Sequence, residues 1–182
     1  MPEIQLTTPR LILRPWRESD AEDLFELASD PVIGTAAGWK PHESVDESSV
    51  TIGTVFAKPL VFAIVLRSIN RPVGCVGLEL GPQILKSGPK DAELGYWIGR
   101  RYWNQGFATE AAQELIRYGF EEAGIPRIWC QTFDENRQSA RVQEKCGFSF
   151  DHKGLFRNPF LGERVTVVSS LTRKDWARRR NT

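Results

Sequence analysis

The strongest chemical signal in the chain is a short glycine-bearing turn that runs into a predicted helix. Residues 103–112 read WNQGFATEAA, and the apolar positions that follow recur at helical spacing. The first backbone N–H groups of a helix are unpaired and carry partial positive charge, so a small-residue turn there can hold a phosphate. An ordinary joint between loop and helix has the same local pattern, because one glycine before a helix is a weak signal.

The residue types that most often bind metals or act as nucleophiles form no motif. The two histidines, His42 and His152, lack the spacing of metal ligands. The three cysteines, Cys75, Cys130 and Cys146, are scattered and odd in number, which predicts reduced, structural thiols. The sequence therefore favours neither a metal site nor a histidine-based catalytic triad.

Composition and charge exclude further classes of protein. Of 182 residues, 41% are apolar and 26% are charged, and the formal net charge is +1. This balance is typical of a globular protein and argues against a dedicated nucleic-acid partner, because domains that bind nucleic acid are usually strongly basic. The longest apolar run, 60–66, is too short to cross a membrane, and the start shows no signal sequence. We expect a cytoplasmic protein with one domain over residues 1–182.

The elements that must position the turn are predicted from capping boxes, glycines and apolar periodicity. We expect a mixed α/β chain around one twisted sheet, with about seven strands and about four helices. The segment 33–42 is glycine-rich and predicts a loop, and Gly95 predicts a bulge or a close backbone approach. The expected order is a strand (6–14), helices (about 19–30 and 44–58), strands (60–67, 72–80 and 92–98), a helix (to about 124), a strand (127–133), a helix (about 134–145) and two strands (from 148, and 164–171).

Two segments in this order resemble the GCN5-related N-acetyltransferase (GNAT) superfamily. Residues 93–98 read ELGYWI and precede the turn, and residues 136–148 read NRQSARVQEKCGF. The closest resemblance is to the ribosomal-protein-type (RimJ/RimL-like) branch. Gly106 and Ala108 match the superfamily's pyrophosphate loop, whereas Trp103 departs from its general pattern. The resemblance implies the GNAT fold, a mostly antiparallel sheet with splayed central strands, and acetyl-CoA as the acyl donor.

The resemblance also implies which residues bind the donor. The backbone of 96–98 would pair with pantetheine, and the N–H groups of 104–109 would converge on the phosphates. Core packing of the Tyr96 and Trp97 rings, an N-cap role for Asn136, and solvated roles for Arg101 and Lys145 remain alternatives. The implied cofactor-binding residues are Tyr96, Trp97, Ile98, Arg101, Asn104, Gln105, Gly106, Phe107, Ala108, Thr109, Asn136, Ser139 and Lys145.

Two residues are candidates for the catalytic chemistry that the resemblance implies. Glu93 lies on the central strand, where parts of the superfamily carry a general base, although it could be a surface carboxylate or pair with an arginine. Ser139 lies near the position of the superfamily's thiolate-protonating tyrosine, although serine in a first helical turn is also a common cap. No nucleophilic residue is required, so we expect direct attack by the amine in a ternary complex.

The acceptor is left open as a protein N-terminus or a small-molecule amine. We expect its groove between an early lid that includes Trp39 and His42 and the late loop 156–162, with His42 as a polar loop residue. Alternatives are a noncatalytic acyl-CoA-binding module, and a ribosome or RNA adaptor that uses the basic end 178–180; a flexible, solvated tail is the default there. A homodimer is left open.

Overall fold

The computed structural model describes residues 3–82, 84 and 86–180. The strands in this part of the chain are β1 (Leu6–Thr7), β2 (Leu11–Arg14), β3 (Val61–Leu66), β4 (Arg71–Leu80), β5 (Ala92–Ile98), β6 (Arg127–Phe133), β7 (Ser149–Asn158) and β8 (Gly162–Thr172). The α-helices are α1 (Ala21–Ala28), α2 (Pro31–Ala37), α3 (Val45–Thr54), α4 (Phe107–Glu121), α5 (Arg137–Cys146) and α6 (Arg173–Arg180).

The strands form one sheet in the order β1-β2-β3-β4-β5-β6-β8-β7. Neighbouring strands are antiparallel except β5 and β6, which α4 connects. This parallel pair is short: it joins Ala92 to Ile128 and Glu93 to Trp129, and the two strands diverge beyond these residues. The expected mixed fold, mostly antiparallel with splayed central strands, is confirmed.

Helices cover both faces of the sheet because the side chains of β3 alternate between two apolar clusters. Phe62 and Ile64 join the cluster that includes Leu115 on α4. Ala63 and Val65 join the cluster that includes Leu24 on α1. Since α4 is buried along its apolar side, its first turn is held at one fixed place beside the gap between β5 and β6.

The first part of the chain differs from the prediction in two places. The predicted strand over 6–14 is two strands, β1 and β2, which pair with each other around a turn at Pro9, a residue that cannot donate to a strand ladder. The glycine-rich segment contains α2, where the Asp30 side chain accepts a hydrogen bond from the Val32 N–H and Pro31 occupies the first turn. Both helix-start signals are present in the sequence.

The basic C-terminus also differs from the prediction, because it is helical and packs against the protein. The Trp176 ring lies 5.4 Å from the Phe120 ring, and Arg180 forms a 2.6 Å ion pair with Glu121. A flexible tail was therefore the wrong expectation for the described residues. With α2, α6 and the divided first strand, the described chain has eight strands and six α-helices, more than the predicted seven and four.

A predicted helix cap and a predicted helix end are confirmed. The Ser44 side chain caps α3 by accepting a 3.1 Å hydrogen bond from the Glu47 N–H, and Gly147 ends α5. Of the two alternatives predicted for Gly95, the bulge is wrong, because β4 and β5 pair in regular register through Gly77 and Gly95, and the close backbone approach stays a prediction. Within the described ranges, we found no helix with the length and apolar character to cross a membrane.

Candidate functional site

A cleft of about 720 Å³ opens where β5 and β6 diverge. We name its two regions by their residues. The loop end is formed by 104, 106–109, 136, 138, 139, 141 and 145, from the turn before α4 and from α5. The aromatic end is formed by Trp39, Phe56, Phe133 and Phe156 with the apolar residues around them. Glu93 and Trp97 of β5 line the wall between these two ends.

The loop end carries backbone donors at an uncapped helix N-terminus. Asn104 and Gly106 have φ angles of +59° and +81°, so the turn uses the left-handed region twice before α4 begins. The first helical bond joins the Glu110 N–H to the Gly106 carbonyl at 3.0 Å, and no side chain caps the helix. The earlier N–H groups therefore have no carbonyl within the helix, and they can bind an anion in the cleft.

Arg10 fixes this turn from outside the cleft, a role that the sequence did not reveal. Its guanidinium donates to the Gln105 carbonyl at 2.8 Å and to the Glu110 carboxylate at 2.7 Å, and it lies 4.6 Å from the Phe107 ring centroid. Burial would raise the pKa of Glu110, but hydrogen bonds from Thr8 and Arg10 hold that pKa below its usual range. Arg10 is about a hundred residues away in sequence, so no local motif contains the contact.

Trp103 explains why the turn departs from the superfamily pattern. Its indole N–H donates to the Ile98 carbonyl at 2.7 Å, which joins the turn to the end of β5. The ring of Trp103 also packs against the main apolar cluster. The Trp103 side chain therefore stabilises the turn through this hydrogen bond and its packing. The backbone N–H groups at the start of α4 are not used in these contacts and are available to a ligand.

Tyr96, Asn136 and Ser139 meet at the start of α5. The Asn136 side chain accepts a 3.1 Å hydrogen bond from the Ser139 N–H, so Asn136 acts as the helix cap that was the alternative reading. The Tyr96 hydroxyl lies 3.0 Å from the Ser139 carbonyl and 2.9 Å from the Ser139 hydroxyl. Burial raises the pKa of Tyr96, which keeps the phenol protonated as a donor.

Glu93 is a half-buried carboxylate on the cleft wall. It accepts a 3.1 Å hydrogen bond from the Gln131 amide, and no arginine forms a described ion pair with it. Burial raises the pKa of Glu93, and the neighbouring Glu79 carboxylate adds to this effect, whereas the bond from Gln131 lowers the pKa. A carboxyl with a raised pKa is a better proton acceptor near neutral pH than an exposed one.

Two predicted binding residues do not line the cleft. The Arg101 guanidinium forms an ion pair with Glu26 on α1 and lies beside the Tyr102 ring. Gln105 is exposed, and its side-chain amide donates to the Arg101 carbonyl at 3.4 Å. The geometry gives no support to the predicted pairing of the Arg101 guanidinium with the phosphates of a nucleotide. Residue 105, whose backbone N–H was predicted to face the phosphates, lies outside the cleft lining. Lys145 does line the cleft, as an exposed residue of α5.

The aromatic end joins the predicted lid to the late hairpin. Trp39 lies 5.7 Å from the Trp97 ring, and Phe133 lies 5.5 Å from the Phe156 ring. Trp39 and Phe156 face the cleft, as the predicted groove requires, but His42 does not. His42 instead lies 2.8 Å from the Ser48 hydroxyl, and burial lowers its pKa.

Comparisons with known proteins agree with this arrangement. The family model described as "Acetyltransferase (GNAT) domain" matches residues 10–149. The chain is 32% identical over 180 residues to the uncharacterized N-acetyltransferase p20 of Bacillus licheniformis, and the match covers 94% of this chain and 98% of that protein. A ribosomal protein uS5-alanine N-acetyltransferase of Escherichia coli is 24% identical, over 97% of this chain and 94% of that protein.

The fold is also that of a solved structure, the spermidine N-acetyltransferase of Vibrio cholerae in complex with CoA and spermine. The TM-score is 0.74 at 19% identity, and the match covers 93% of this chain and 99% of that chain. At this identity the likeness concerns the fold alone. The family match and the relatives establish the expected resemblance: the chain belongs to the GNAT acetyltransferase family and is an N-acetyltransferase.

Proposed function

We propose that the protein transfers the acetyl group of acetyl-CoA to a primary amine by direct attack within a ternary complex. One observation carries the proposal. The divergence of β5 from β6 after Glu93 places a half-buried carboxylate and an uncapped helix N-terminus on the same cleft. This combination supplies a proton acceptor for an ammonium group and a binding site for a phosphate.

The residues around the cleft fit acetyl-CoA. The backbone of β5 beyond Glu93 has no ladder partner on the β6 side, and a Cβ built on Gly95 would have no atom within 4 Å. An extended amide chain can therefore approach β5 as an added strand. The N–H groups of 107–109 would hold the pyrophosphate. The bound donor supplies the activated acetyl thioester, and the Vibrio cholerae structure that shares this fold contains CoA.

Glu93 is the proposed general base. Its carboxylate accepts a proton from the ammonium form of the amine, directly or through water, and this leaves a neutral nucleophile. The single bond from Gln131 keeps one carboxylate oxygen oriented. Because burial raises the pKa of Glu93, its affinity for a proton is greater than that of an exposed glutamate.

Ser139 and Tyr96 are the proposed source of the proton that the departing sulfur requires. The single Tyr96 proton can be directed either to the Ser139 carbonyl or to the Ser139 hydroxyl, which lie 3.0 and 2.9 Å away. When the Ser139 hydroxyl gives its proton to sulfur, Tyr96 can direct its hydrogen bond to the Ser139 oxygen, and the proton that the amine nitrogen loses as the amide forms returns to Ser139. The two hydroxyls therefore act as one donor unit in this proposal.

The setting of the enzyme is also part of the proposal. The cysteines are free and buried. Reduced thiols are typical of the cytoplasm, and we propose that the enzyme acts there as one domain over residues 1–182.

The test combines acetyl-CoA binding with turnover. We expect calorimetry to show binding of acetyl-CoA, and a thiol assay to show CoA release with at least one class among peptides with free N-termini, alkyl and aryl amines, polyamines and aminoglycosides. Absence of binding would overturn the assignment of the donor. Binding without CoA release across the whole panel would instead identify a noncatalytic acyl-CoA-binding module.

A further inference from the structure

The aromatic end of the cleft presents apolar surface from parts of the chain that are far apart in sequence. Trp39 follows α2, Phe133 ends β6, and Phe156 lies on β7. The Asn158 side chain donates to the Gly38 carbonyl at 3.1 Å, so the segment after α2 and the β7–β8 hairpin are tied together. Apolar side chains of α2, including Ile33, line the same region. This end of the cleft is therefore suited to an apolar body.

The charges beside this apolar region are unequal. Glu79 and Glu93 lie opposite each other on β4 and β5. Glu79 forms a 2.7 Å ion pair with Lys58, whereas the described partner of Glu93 is the neutral amide of Gln131, at 3.1 Å. Among the described residues that line the cleft, Glu93 on the wall beside this end is therefore the carboxylate that forms no described ion pair with a lysine or arginine.

We propose that the acceptor is a primary amine that carries a single positive charge on an apolar body, and this inference rests on the proposed acetyl transfer. One carboxylate balances one ammonium group, and the aromatic rings bind the apolar body. A polyamine would bring further ammonium groups against Trp39, Phe133 and Phe156 without carboxylates to balance them, which carries a desolvation cost. The same chemistry occurs in alkyl and aryl monoamines and in peptide N-termini that begin with an apolar residue.

A substrate comparison tests this class. The second-order rate constant kcat/KM is measured by CoA release with phenethylamine, the peptide Phe-Gly-Gly, the peptide Gly-Gly-Gly and spermidine at one ionic strength. We expect kcat/KM to be at least about tenfold higher for phenethylamine and Phe-Gly-Gly than for Gly-Gly-Gly and spermidine, because burying an apolar side chain gives a free-energy gain of that size. The ratio of phenethylamine to Phe-Gly-Gly identifies the source of the amine. A preference for spermidine, or equal rates, overturns the inference alone, whereas absence of release with every amine overturns the proposed function with it.

Variants of the aromatic wall provide the second readout. Trp39→Ala is expected to raise the KM for phenethylamine about tenfold while the KM for acetyl-CoA is unchanged, because the ring lies at the aromatic end. Trp39→Leu keeps an apolar side chain of intermediate size at this position, so it tests the same contact if Trp39→Ala fails to fold. Val50→Ala is the matched control, because Val50 is 64% exposed on α3 and lies outside the cleft lining. An unchanged amine KM in both Trp39 variants would contradict the inference.

Discussion

The loop end and the aromatic end of the cleft are built in different ways. The loop end uses backbone N–H groups from one continuous turn and helix, together with the first turns of α5. The aromatic end uses side chains that are far apart in sequence. The register of β6, β7 and β8 brings Phe133 close to Phe156, and the segments after α2 and α3 add Trp39 and Phe56. A site made of backbone groups leaves a local motif in the sequence, whereas a site made of distant side chains does not. Binding of the donor and choice of the acceptor should therefore respond to different substitutions.

The largest expected effect is at the boundary between the two ends. Glu93→Gln keeps the size of the side chain but removes the proton acceptor, so we expect kcat to fall about 100-fold or more, with acetyl-CoA affinity unchanged. In the parent, activity should be lost as the pH falls through the raised pKa of Glu93, because only the ionised form accepts a proton. Rates measured across pH for the parent, Glu93→Gln and the surface variant Glu122→Gln check this. Full activity in Glu93→Gln would contradict the role of Glu93 as the base and would indicate that water or another group accepts the proton.

The next effect should be confined to the loop end. Gly106→Val places a β-branched residue where φ is +81°, a conformation that costs an L-residue roughly 1–2 kcal/mol. The turn should relax to avoid this strain, and its N–H groups should move. We expect acetyl-CoA affinity to fall about tenfold, because 1.4 kcal/mol corresponds to a factor of ten. Gly124→Val is the matched control: its φ is +72°, and a Cβ there meets no atom within 4 Å. Equal affinity in both variants would argue against the phosphate site.

The difference between the two ends also explains how far the sequence predicted the molecule. Short-range signals predicted most elements well, because caps such as Ser44 and helix ends such as Gly147 act within a few residues. Helix α2 was not predicted because its segment is short, contains a glycine and has little apolar periodicity, so its Asp30 and Pro31 start signals have no further support in the sequence. The C-terminal helix was missed because its stability depends on Phe120 and Glu121, which are distant in sequence.

The candidate site was predicted in the same uneven way. The turn around Gly106 and the cap Asn136 follow from local sequence and lie on the cleft as expected. The contact of Arg10 with the turn, and the contact of Gln131 with Glu93, depend on how strands align in the sheet. Arg101 shows the opposite case, because its nearness in sequence suggested a phosphate contact, while the fold places its charge beside Glu26.

A smaller effect is expected when Glu93 is kept but loses the hydrogen bond that orients it. Gln131→Met removes the amide donor to Glu93 but keeps a similar volume, and loss of a hydrogen bond to a carboxylate raises its pKa. Such bonds are worth about 1.5–3 kcal/mol, so the acid limb of the kcat/KM profile should move up by about one to two pH units. Above both pKa values the rates should converge with those of the parent and of the exposed-site control Gln5→Met. A uniform loss at every pH would indicate a structural role for Gln131 instead.

The smallest expected effect concerns the hydroxyl pair at the loop end. Tyr96→Phe removes the donor to Ser139, and a neutral hydrogen bond is worth about 1 kcal/mol, so kcat should fall roughly fivefold with the KM for acetyl-CoA unchanged. Tyr118→Phe on α4 controls for the loss of a phenol elsewhere.

The decisive comparison adds Ser139→Ala. If Tyr96 acts through the Ser139 hydroxyl, its substitution should have no further effect on kcat once that hydroxyl is gone, because residues that act as one unit are not additive. Rate losses that multiply in the double variant would show that the two hydroxyls act independently. In that case the Tyr96 hydroxyl would affect the rate by a route other than its contact with Ser139, and Ser139 alone would remain as the proposed donor to sulfur.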